Sequence, residues 1–215
     1  MFKRQIVLTT ILLGTFILGS SCAMSGEFED AQRAAQRHDF AASSAMFQRL
    51  AEAGDARAQS ALGLAFLYAQ GVPRDYAKSK FWLQKSADQG FALGETGLAL
   101  TYESGFEGTA KNLAQARKWL DLATQLGERT AEVALADMYK RGDGGPVDYA
   151  KAVALYQKAA AQGDAEGTLK LGLMYQTGRG VAQDAKQAAE LYRKAYALKD
   201  GAAALLLETL GETVD

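Results

Sequence analysis

Cys22, His38 and a scatter of glutamates are the residues of this 215-residue chain whose chemistry could be catalytic or metal-binding. A thiol beside an imidazole would make a nucleophile and its base, or half of a zinc site. There is one cysteine and one histidine in the whole chain, too few for a tetrahedral zinc centre or an internal disulfide. His38 stands beside Asp39 at the junction of two helical stretches, with no nucleophile within sequence reach, so it reads as a solvated turn residue. Glycoside hydrolysis would need two carboxylates facing one cleft. Glu95, Glu103, Glu107, Glu128 and Glu132 are available, but no spacing makes them converge, and their expected place is a solvated helix face. The glycine clusters Gly142-Asp143-Gly144-Gly145 and Gly178-Arg179-Gly180 have no preceding strand and no following lysine-serine pair, so they are turns rather than phosphate loops. Asp143 and Asp148 flank the first cluster without the alternating carboxylates of a calcium loop. No catalytic residue, metal or cofactor is therefore expected.

What does recur is a segment of about 36 residues. Gly54, Gly90, Gly127 and Gly163 follow one another at 36, 37 and 36 residues. On that grid Leu62, Leu98, Leu135 and Leu171 share a column, as do Phe66, Tyr102, Tyr139 and Tyr175, and Asp75, Asn112, Asp148 and Asp184. The two prolines, Pro73 and Pro146, share another. Self-similarity at this period marks an array of supersecondary units, each burying its apolar face on its neighbours.

Each cycle holds two helical stretches. Ala58, Leu62 and Phe66 at i, i+4 and i+8 make one face of the first. Asp75, a good N-cap, opens the second, and Gly90 can supply the left-handed conformation that ends it. Small residues at Ala58, Gly94, Ala131 and Gly167, and at Gly63, Ala99, Ala136 and Gly172, predict close helix approach. Each such glycine costs up to ~1 kcal/mol of helix propensity, which packing must offset. Asp39 to Gly54 matches the second helix of a cycle, with Glu27 to Arg37 as its partner, and Ala202 to Leu210 reads as one more first helix. The expectation is eleven helices.

The columns just quoted, above all Leu171-Gly172-Leu173-Met174-Tyr175-Gln176-Thr177-Gly178-Arg179-Gly180-Val181 and the helix ending Lys158 to Gly163, resemble the Sel1-like repeat, a tetratricopeptide-related helical hairpin. The resemblance covers Gly54 to Lys199. The second cycle departs most, with one extra loop residue, Thr109 where valine is usual and Asn112 for aspartate. The resemblance implies an all-α, right-handed α-solenoid of Sel1-like hairpins: a partial repeat over 27–54, four repeats over 55–199, and a final helix and tail over 200–215.

Ahead of the array, Lys3 and Arg4 precede an uncharged stretch from Ile6 to Leu18. Thirteen helical residues reach only ~20 Å, short of a ~30 Å hydrocarbon core, so 1–22 reads as an export signal. Leu18-Gly19-Ser20-Ser21-Cys22 resembles a bacterial lipobox, although the leucine sits one residue early. That resemblance implies lipidation at Cys22. Ala23 behind it in place of aspartate implies outer-membrane sorting, facing the periplasm. Ordinary cleavage after Ala23, giving a soluble periplasmic or secreted protein, stays open.

In tetratricopeptide-like stacks the first helices line a concave surface, which here points to Leu64, Tyr68, Leu100, Ser104, Asp137, Arg141, Lys170, Leu173 and Thr177. The expected groove is apolar at both ends and charged in the middle. Its core candidates are Leu64, Tyr68, Leu100, Asp137, Arg141, Lys170 and Leu173. Leu205, Leu206 and Leu207 spread over ~200° of helix, so one stripe cannot bury all three, and Phe106 is a further candidate contact, although its expected place is buried against the next hairpin. Apolar residues at 48% and charged residues at 23% are ordinary for a globular chain. A net charge of −1 gives no electrostatic case for nucleic acid. The expected function is a non-catalytic scaffold or adaptor of the bacterial envelope, holding a protein or peptide. The rival is a cell-wall-active enzyme or glycan-binding protein. Cysteine-rich relatives described as β-lactam hydrolases suggest it, but their disulfide cysteines are absent here.

Overall fold

The computed structural model describes residues 26–106 and 110–211, and the chain divides into two compact units at Gly94/Glu95. Eleven helices lie in the described residues: α1 (26–36), α2 (Phe40–Glu52), α3 (Ala56–Tyr68), α4 (Tyr76–Ala87), α5 (Ala92–Ser104), α6 (Leu113–Gln125), α7 (Arg129–Arg141), α8 (Tyr149–Ala161), α9 (Ala165–Thr177), α10 (Ala185–Ala197) and α11 (Ala202–Thr209). They pack as consecutive hairpins, as the repeat period predicts. Cys22 and Glu107 lie outside the described residues.

Capping explains why the helices start where they do. Asp75, Asn112, Asp148 and Asp184 each accept the amide three residues on, opening α4, α6, α8 and α10. Asp39, Asp55 and Asp164 do the same for α2, α3 and α9. Each such cap satisfies a first-turn donor that would otherwise be orphaned, worth about 1 kcal/mol. At the other ends Gly54, Gly90, Gly127 and Gly163 all have positive φ. The next member of that column is Lys199, at φ 69°, and Ala69 ends α3 at φ 58°. These two are left-handed without a glycine's freedom.

The predicted close approaches are present. A Cβ on Gly63 would lie 2.7 Å from the Leu83 side chain, and one on Gly172 would lie 2.5 Å from the Tyr192 ring. Gly94 meets Ser86 at 2.5 Å and Gly167 meets Ala159 at 2.7 Å in the same way. A second small-residue device lies in the loops. Gly71, Gly144 and Gly180, each at positive φ, press against the backbone at the start of an earlier helix: Phe40, Leu113 and Tyr149 respectively.

The first unit holds α1–α4 around Phe47, Leu50, Leu62 and Phe66. In the second unit Val133, Tyr156, Leu171 and Met174 join α7–α10, and Tyr192 with Leu207 closes α10 on α11. The leucine column is fully buried, and Leu83, Leu120, Tyr156 and Tyr192 form its buried counterpart on the second helices.

Candidate binding surface

All seven core candidates lie on first helices of their hairpins. In the first unit α3 carries Leu64, half-buried, and Tyr68, which is 52% exposed. In the second unit α5 carries Leu100, half-buried, α7 carries Asp137 and Arg141, and α9 carries Lys170 and Leu173.

The charged members meet one another. Asp137 accepts from the Tyr156 hydroxyl and pairs with Lys170 and, at 3.0 Å, with Lys140. Lys170 also pairs with Glu166, one turn away. Burial alone would push the Asp137 carboxyl up, but hydrogen bonds from Lys170, Tyr156 and Lys140 outweigh it and hold the group below its ordinary range. Burial also works against the charge on Lys170, where Asp137 and Glu166 win and raise its pKa. The Tyr156 phenol is pushed up by burial and then by the adjacent carboxylate. Arg141 bridges α5 and α7 by binding Glu103 at 3.1 Å, and it also pairs with Asp143. The middle of the expected groove is thus a self-satisfied network whose cations are already engaged. Arg141 keeps 47% of its side-chain surface open, so it can still reach another molecule.

Leu173 packs partly against Ala188, Tyr192 and Leu207. Thr177 donates back to the Leu173 carbonyl at 2.7 Å, while Ser104 is exposed. Leu207 is buried, Leu206 partly packed and Leu205 67% exposed, as their spread around the helix requires. Phe106 is half-buried. His38 takes φ 63° after α1 with its ring edge-on to Phe40, which agrees with a turn residue.

The acids correct the expectation of a solvated face at two positions. Glu95 is 5% exposed and Glu132 fully buried. Glu132 accepts both Gln162 amide hydrogen bonds, at 3.0 and 2.9 Å, and pairs with Lys158 at 2.7 Å. Gln59, two column members earlier, accepts from Gln89 at 2.7 Å in the same manner. Glu95 belongs to that column too, but the positions of Gln162 and Lys158 are Leu126 and Leu122 in its cycle. Its Oε2 has no hydrogen-bond partner, and burial pushes its carboxyl up. The recurring Gln-to-polar register, thirty residues apart, is the sequence signal that could have revealed this column. Glu128 caps α7 and Glu103 is held by Arg141, so neither serves as an acid–base group facing a second carboxylate. Asp148 caps α8 and Asp143 pairs with Arg141, in keeping with loop and cap roles. Among the described residues no group of three or more histidine, cysteine, aspartate or glutamate side chains could hold a metal ion.

One cavity, of about 540 Å³, lies beside α6 in the second unit, lined by Arg117, Lys118, Asp121, Leu122, Tyr139 and Gly144 among others. None of these residues was an expected site; the signal that could have revealed them is the lysine column of the second helices, which holds Leu122 in this cycle.

The repeat grid, the capped hairpins and the close-approach glycines define an α-helical repeat protein of the kind that carries binding surfaces on its helices. The Sel1 repeat model matches 56–91, 92–128, 130–164 and 165–200, and the chain belongs to the Sel1 repeat family. It is 32% identical over 114 residues to the Sel1-repeat-containing protein YjcO of Escherichia coli (strain K12), covering 53% of this chain and 47% of that one. The match thus spans about half the length of this curated relative. Among solved structures, it resembles c5321, described as a protective antigen of uropathogenic Escherichia coli with an SLR fold. That match has 31% identity and a TM-score of 0.74, covering 91% of this chain and 44% of the other. A Sel1 repeat protein from Oxalobacter formigenes matches at 25% identity and a TM-score of 0.76, over 85% and 74% of the two chains.

Proposed function

We propose that this protein is a non-catalytic scaffold or adaptor of the bacterial cell envelope, binding a protein or peptide on the surface of its first helices. The observation that carries this reading is where the polar and apolar groups of α3, α5, α7 and α9 fall. In the first unit Tyr68 stays 52% exposed on α3, and in the second unit Arg141 keeps about half of its side chain open within the charge network of α7 and α9. No nucleophile–base pair and no facing carboxylates accompany them among the described residues, which favours recognition over turnover. Affinity would concentrate in a few exposed anchors, with the engaged charges setting specificity.

The export signal and the cysteine at position 22 support attachment through a lipid anchor at the outer membrane, facing the periplasm. Mass spectrometry of the mature amino terminus tests this directly: a lipidated Cys22 is expected, and an unmodified chain beginning after Ala23 would exclude it. The scaffold reading is tested by photo-crosslinking from positions 64 and 141 in cells. Both positions are expected to capture the same defined protein, and capture by neither would count decisively against it.

A further inference from the structure

The second helix of the second cycle, α6, departs from all three of its counterparts at Lys118 and Leu122 and from two of the three at Arg117 and Leu126, and these residues share one surface of the second unit. Where α6 has Arg117, α4 has Lys80, while α8 and α10 have the core residues Val153 and Ala189. Where it has Lys118, they have Ala154 and Glu190. Leu122 takes the place of lysines 85, 158 and 194, and Leu126 that of Gln89 and Gln162, the last cycle also having a leucine there, Leu198. Lys158 and Lys194 cap carbonyls of the second helix one cycle earlier, at Thr124 in α6 and Ala160 in α8. Leu122 can do nothing of the kind, and it is 43% exposed, with Leu126 one turn on at 55%.

Arg117 reaches out of the core position and lays its guanidinium 3.7 Å from the centre of the Tyr139 ring, at the edge of the 540 Å³ cavity. Neither Arg117 nor Lys118 has a carboxylate partner among the described residues. Asp121 on the same lining accepts from Gln125 at 3.2 Å, and the cavity keeps a positive excess. Lys151, 5.1 Å from the centre of the same ring, is paired with Asp148. A stacked guanidinium is planar, permanently charged and held in orientation, which suits it to a bidentate carboxylate. Its volume falls within the range of sites that take small ligands or a few side chains.

We propose that the cavity between α6 and α7 binds an acidic segment of a partner protein, with a carboxylate on Arg117 and apolar side chains on Leu122 and Leu126. The charge selects an anion, and the two leucines, aligned i to i+4, select a chain carrying apolar groups beside it over a free inorganic anion. This surface lies apart from the groove residues, so it adds a second contact rather than restating the first.

The test is fluorescence anisotropy of the purified mature protein with a labelled synthetic peptide alternating leucine and glutamate. Control peptides carry glutamine for glutamate, or glycine for leucine. The leucine–glutamate peptide is expected to bind about tenfold more tightly than either control. Arg117→Val, which installs the third-cycle residue, should abolish that preference without lowering the melting temperature. Arg117→Gln and Leu122→Ser/Leu126→Ser should each reduce it, which guards against a packing defect in any one variant. Equal binding of the controls, or a preference that survives Arg117→Val, would overturn the assignment. Loss of the preference in Arg141→Gln instead would move the peptide to the groove, sinking this inference while leaving the scaffold reading standing.

Discussion

Glu95 is the residue on which the physical argument is most exposed. A buried carboxyl oxygen without a partner costs about 1–3 kcal/mol, and burial raises the group above its ordinary value of 4.5. A raised acid contributes its stability in full below the unfolded pKa and loses it as pH rises through the folded one. Glu95→Gln should therefore raise the melting temperature at pH 7, and the gain over the wild-type chain should shrink toward pH 4. Thermal melts of both proteins across that range check it. Backbone positions make the opposite kinds of prediction. Ala69 sits left-handed at φ 58° with a β-carbon, so Ala69→Gly should stabilise by about 1 kcal/mol. Gly71→Ala would drive a β-carbon into the Phe40 carbonyl and should destabilise by about 2–4 kcal/mol in denaturant titrations. The glycine at 71 was legible as a turn. Its contact with Phe40 was not, because it joins residues 31 apart whose meeting depends on how one hairpin stacks on the previous helix.

Beside the apolar cluster they share, helices α7 and α9 are joined by Asp137, which gathers Lys170, Lys140 and Tyr156. Asp137→Asn leaves Lys140 without a carboxylate and Lys170 with Glu166 alone, and should cost about 2–3 kcal/mol. The carboxyl is depressed below 3.8, so its contribution is fully present above that value and lost as pH falls through the folded pKa. The stability gap between the two proteins should stay constant from neutral pH to about 5 and close in stronger acid. Helix starts were readable in advance because a cap acts within three residues, and Asp75, Asn112, Asp148 and Asp184 cap as expected. The pairing of Asp137 with Lys170 was not, although both were singled out, because a column states which face a residue takes and not what stands opposite it. The same limit placed Glu132 on a solvated face. Only the packing of α8 brings Gln162 and Lys158 over it.

At the scale of the molecule, stability in a repeat array is the sum of hairpins and their nearest-neighbour contacts. The contact of α10 with α11 buries Leu207 and closes over Tyr192, whose phenol is pushed up to about 12 by burial. Removing residues 201–215 would open that cluster to water, and calorimetry should show a lower melting temperature together with concentration-dependent association. The period, the helix count, the caps and the close-approach glycines were all determined by the sequence itself, since each follows from spacing along one chain and from local sterics. Which acid is neutralised, which is left alone, and where Arg117 finds an aromatic ring and an open cavity were decided only by the tertiary structure. Those outcomes depend on pairs some 20 to 40 residues apart, brought together by stacking, where a single exchange of lysine for leucine changes the partner and nothing in the local pattern registers it.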